Sequence, residues 1–88
     1  MEMTEYGFTT PQSEIEKLLG MNAGDLARSG LDMDLAENCR WMNDEGIALK
    51  DETAVRAWLG AHLDLLAGRP EFFIEAVVMV AKNFQIAA

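Results

Sequence analysis

With 88 residues at 9.8 kDa, the chain has room for one domain. Half of its residues are apolar and a quarter are charged, which is the balance of a globular fold rather than of a disordered tail. Seven Lys and Arg stand against fifteen Asp and Glu, and the net charge of −8 repels bare phosphate backbones, which argues against general nucleic-acid binding.

Residues 1–9 read as an irregular N-terminal segment. Thr10-Pro11 has the form of an N-cap followed by proline at the first helical position, where the missing N–H costs nothing. It predicts a short helix over 11–19 in which Ile15, Leu18 and Leu19 share a face and Gly20 takes the left-handed stop. Asn22 is placed to cap a second helix ending at Ser29, before Gly30. Asp32 is placed to cap a third, in which Leu35, Cys39 and Met42 fall at i, i+4 and i+7.

Asp51 caps a further helix whose stripe of Val55, Trp58, Leu59, His62, Leu63 and Leu66 runs on to Gly68. Arg69-Pro70-Glu71 then opens the last one, with proline at the first position and an acid in the first turn. From Phe72 to Ala81 only Glu75 is charged, and a helix apolar nearly all round is either buried centrally or shared with another chain. Sharing would make Phe72, Phe73, Val77, Val80 and Phe84 the seam of a homodimer. The run Val77-Val78-Met79-Val80 also fits a buried strand, but no alternating segment elsewhere offers it a partner. The expectation is an all-α single domain of about five helices, with helix-turn-helix-like elements in its first half. Such a chain exposes roughly 5,000 Å² when folded against about 14,000 Å² unfolded, enough burial for a modest core.

Few residues invite catalysis. His62 is the one histidine and lies on an apolar stripe, where it reads as a core-edge residue with no nucleophile or orienting acid beside it. Cys39 is the one cysteine, so neither an intramolecular disulfide nor a cysteine metal pair can form. It falls on the apolar face of its helix, where a buried hydrophobe is expected, and Arg40 points about 100° away. Asp32, Asp34 and Glu37 fit poorly to a calcium loop, which wants oxygen ligands at alternate positions, a central glycine and a terminal acid, and read as a solvated acidic face; no glycine-rich phosphate loop follows a strand. No catalytic residue, cofactor or metal is expected, and the chain reads as a non-enzyme. The six methionines read chiefly as core filling. The opening MEMTEYGFTT has two acids and no base, unlike a secretory signal, and Val77–Ala81 is far too short to span a bilayer. A cytoplasmic protein is the expectation.

Residues 13–29, SEIEKLLGMNAGDLARS, resemble the bacterial helix-turn-helix. In that resemblance Ile15, Leu18 and Leu19 pack the first helix, Gly20 makes the turn and Leu26 seats the second. Glu16 stands where that family usually has alanine, and the reading helix offers DNA only Arg28 beside Asp25, whereas groove reading needs several polar or basic side chains. A second resemblance covers residues 49–87. Leu49-Lys50-Asp51-Glu52, Ala54-Val55, Trp58-Leu59, Pro70-Glu71-Phe72-Phe73, Glu75-Ala76, Val80-Ala81-Lys82 and Gln85-Ile86-Ala87 look like the N-terminal part of addiction-module antidote proteins, the antitoxins of toxin–antitoxin modules. In that family this portion leads into a DNA-binding helix-turn-helix. Here the similarity runs to the end of the given sequence, with Asn83 in place of the expected turn glycine, so the family's DNA-contacting residues have no counterparts. The resemblance implies a packing scaffold from a mobile-element regulator.

Three functions follow as expectations. The first is a small acidic regulator or inhibitor, antitoxin-like, that binds a protein partner such as a toxin. The second is a phage-encoded inhibitor of a host defence complex, anti-CRISPR-like, whose acidic face of Glu14, Glu16, Asp25, Asp32, Asp34 and Glu37 occupies a nucleic-acid-binding site. The third is a helix-turn-helix repressor, weakened by the shortage of basic groups. Residues 1–44 hold nine acids and three bases, and residues 45–88 six and four, so the field is concentrated on the first half.

Overall fold

The computed structural model describes residue 8, residues 10–69 and residues 71–84. The described chain is all-α. It forms α1 (Gln12–Leu19), α2 (Ala23–Ser29), α3 (Leu31–Asp44), α4 (Glu52–Ala61), a single 3-10 turn (Leu63–Leu66) and α5 (Phe73–Lys82).

The short helices are set by their ends. Gly20 at φ 68° closes α1, with the Met21 N–H reaching back 3.0 Å to the Glu16 carbonyl, and Asn22 Oδ1 then accepts from the Asp25 N–H at 2.8 Å to open α2. Gly30, at φ 72°, ends α2 and begins α3 in one residue. Ser29 braces that corner, its hydroxyl donating to the Leu26 carbonyl at 2.8 Å and accepting from the Leu31 N–H at 3.2 Å. The expected cap Asp32 therefore lies one residue inside α3, and is buried rather than terminal. Thr10 does not cap α1 either. Pro11 occupies that position, while Thr10 is buried and its hydroxyl accepts from Asn83 Nδ2 at 3.3 Å.

Asp51 caps α4 as its position predicts, with Oδ1 accepting from the Thr53 and Ala54 N–H groups at 3.1 and 3.3 Å. The stripe that follows does not stay helical to Gly68. The His62 Nδ1–H donates to the Trp58 carbonyl at 2.8 Å, and the His62 backbone N–H turns to Leu59 at 3.1 Å. The imidazole thus meets the i−4 carbonyl while the backbone N–H takes the i−3 one, and the chain continues as the tighter 3-10 turn. Leu63, expected in the core, is 61% exposed. The His62 ring stacks on Trp58 at 4.0 Å between centroids, which makes it the core-edge residue its position implied.

Around α5 the other elements assemble: α1, α3 and α4 all pack on it. Its Phe73, Ala76, Val77, Val78, Val80 and Ala81 are buried, so the apolar run is a central helix and neither a strand nor a free surface. It begins at Phe73, later than the Arg69-Pro70-Glu71 signal implied, and Pro70 lies outside the described residues. On its outer side Glu75 and Lys82 meet α4. Arg56 bridges Glu52 at 2.9 Å and Glu75 at 3.2 Å, and Lys82 reaches Glu52 at 3.0 Å. Lys82 first and Arg56 second hold the Glu52 carboxyl below its ordinary range. Phe8 is buried and pairs antiparallel with Phe84, the one bridge of this kind among the described residues. The accessible surface is 5,260 Å², close to what the length predicts.

Candidate protein-binding face

The expected homodimer seam is corrected by the position of α5. Phe73, Val77 and Val80 are buried inside the protomer, and of the five only Phe72 is exposed, at 50%. Phe84 is half-buried against the core.

The six acids expected to form one face are not equivalent. Asp32 is 8% exposed. Asp25 is ion-paired with Arg28 on α2, and Asp34 lies 3.0 Å from Arg69. Glu14 and Glu16 belong to α1, and Glu37 to the outer side of α3. The turns at Gly20 and Gly30 distribute them over three helices, so a single solvated array is replaced by partnered and unpartnered groups. The same pairing bears on DNA reading, because Arg28, the one base on α2, is engaged by Asp25.

What the third helix presents outward is more distinctive. Its buried residues, Leu31, Asp32, Leu35, Ala36, Asn38, Cys39 and Met42, cover one side. At about 100° per residue, Met33, Glu37, Arg40, Trp41 and Asp44 fall on the opposite side. Met33 is 53% and Trp41 40% exposed, two of the four large apolar side chains that the described surface leaves open. They stand eight positions apart, about 12 Å along the axis. Beyond Trp41 the helix ends in Asp44 and Glu45, with no base in its last turn. Acids there oppose the partial negative charge at the helix C-terminus, costing about 0.3–1 kcal/mol each. The end is nonetheless held firmly, since the Ile47 N–H returns to the Met42 carbonyl at 2.9 Å and Ile47 packs on the core. A buried stripe, an apolar outer strip and an acidic end thus meet on one helix.

Met33 and Trp41 were not singled out by the sequence pattern, although the signal was there. Leu35, Cys39 and Met42 define the inner stripe, and Trp41 lies about 100° from Met42 on the helix. A tryptophan off the stripe is thus placed toward solvent, where Trp is enriched when the surface meets a partner.

Other chemistry is sparse. Burial pushes the Cys39 thiol up to about 12, against a smaller lowering by Arg40, so no thiolate forms near neutrality. Among the described residues no three His, Cys, Asp or Glu come together in a metal-binding group. A groove of about 320 Å³ opens beside the 3-10 turn, but its Arg69 is already held by Asp34 and lies 5.9 Å from the Phe73 ring centroid. A second, of similar size, lies between α1 and α5. No helix is long and apolar enough to cross a membrane among the described residues. No family model, curated protein or solved structure matches the chain.

Proposed function

We propose that this chain is a small non-enzymatic regulator or inhibitor that acts by binding a protein through the outer face of α3. One observation carries the reading: Trp41 and Met33 are exposed on the outer side of a helix whose acidic end is unfavourable for its own stability. Interface anchors are typically aromatic side chains surrounded by polar groups, and Trp is prominent among them. Glu37, Asp44 and Glu45 select a basic partner surface, as does the net charge of −8.

Basic surfaces of that kind commonly serve nucleic acid, which favours an inhibitor that competes for such a site over a repressor that reads DNA itself. The segment resembling antitoxins supplies α4 and α5, and α3 packs on α5, in keeping with a scaffold role.

The test compares capture from a host lysate by the immobilised protein, by Trp41→Ala and by the pair Asp44→Lys with Glu45→Lys. Trp41→Ala is expected to weaken a captured partner by on the order of 2 kcal/mol or more. The charge reversal abolishes capture while raising helix stability, since it places bases where the dipole favours them. Nucleic acid added to the captured complex displaces the chain. A partner retained equally by all three proteins overturns the assignment to α3. A salt-sensitive gel shift on duplex DNA, by the chain alone, would support the repressor instead.

A further inference from the structure

We infer that the groove between α1 and α5 is a self-association surface, occupied by the same groove of a second copy. Its floor is apolar, formed by Leu18 of α1 with Phe72 and Met79 of α5. Phe72 and Met79 are seven positions apart, just before and within α5, and therefore share a side of its axis. Its edge carries Glu14 and Lys17, one acid and one base. Both are exposed, and neither is ion-paired among the described residues, where Asp25, Glu52, Glu75 and Asp34 all have basic partners.

The charges decide the occupant. A partner of uniform sign would satisfy one of the two groups and repel the other. A second copy related by a two-fold axis satisfies both, because an isologous contact sets residue i against j and j against i. Glu14 of each copy then faces Lys17 of the other across paired Leu18, Phe72 and Met79 side chains. This surface is distinct from the α3 face and has the opposite logic: neutral and self-complementary where α3 is acidic and needs a basic partner. It also retains the one residue of the expected seam that is open to solvent, Phe72, while leaving Phe73, Val77 and Val80 in the core. With five lining residues against the roughly 20–30 a side of a stable interface, the groove supports a weak, concentration-dependent dimer rather than an obligate one.

Sedimentation equilibrium on the full chain up to high micromolar concentration tests this, with circular dichroism as the check on folding. Wild type is expected to show a reversible monomer–dimer equilibrium. Glu14→Lys and Lys17→Glu singly are each expected to lose it, and the double exchange Glu14→Lys with Lys17→Glu to restore it. Phe72→Ser, outside α1 and at an exposed position, is expected to lose it without disturbing the helix. A strict monomer overturns the inference. So does a dimer indifferent to the single reversals or to Phe72→Ser, and so does a double exchange that fails to recover association.

Discussion

Cys39 shows how a neighbour in sequence differs from a neighbour in space. Arg40 follows it directly, yet the thiol lies in the core between residues of the inner stripe, and loss of solvation outweighs the cation. Its ionisation moves from 9.0 to about 12. Folding therefore protects the neutral thiol, and the sign follows. The stabilisation this group contributes is complete below pH 9, where both states are protonated. It is lost as pH rises toward 12, because the unfolded chain can ionise and the folded one cannot. Urea titrations are expected to show an alkaline loss of stability over that window that is smaller in Cys39→Ala. A thiol reagent at pH 8 should leave the native protein unmodified and label it fully in denaturant. Rapid labelling under native conditions would mean that α3 opens far more readily than its burial implies.

At the level of elements, the seating of α5 governs the rest. Adjacent phenylalanines make the contrast sharp: Phe73 is buried among α5's partners, and Phe72 is half open at the groove. Phe73→Ala is expected to cost about 3–5 kcal/mol, and Phe72→Ala about 0.5 kcal/mol or less, in denaturant unfolding at protein concentrations where the monomer prevails. Equal costs would contradict the placement of α5. Helix ends were readable wherever a side chain or glycine acts on its own backbone, as at Gly20, Asn22, Gly30 and Asp51. They were not readable where a nonlocal or competing interaction decides. Thr10 is drawn away by Asn83, and His62 takes a carbonyl that the periodic pattern assigned to the helix. Apolar spacing also leaves open which copy covers a stripe. The run in α5 predicted burial correctly, and only packing distinguished a central helix from a seam.

Over the whole molecule, the charge total is less informative than its arrangement. Of the six acids first grouped together, Asp25 and Asp34 are ion-paired and Asp32 is interior; Asp44 and Glu45, outside that group, stand at an exposed helix end. The candidate face was legible only in part, because composition reports sign but not pairing, and Trp41 becomes conspicuous once the inner stripe is known to be covered. The pairing of Phe8 with Phe84 has a consequence of another kind. This bridge joins positions seventy-six apart, farther along the chain than the α3–α5 or α1–α5 contacts, so it closes a longer loop than any helix pairing among the described residues. The prediction is that it forms late, after the barrier is crossed. Phe8→Leu is expected to accelerate unfolding while changing the folding rate by no more than about twofold in stopped-flow measurements, the signature of a side chain outside the nucleus. The two ends of the described chain would thus act as a latch, setting how long the folded state lasts rather than how quickly it is reached.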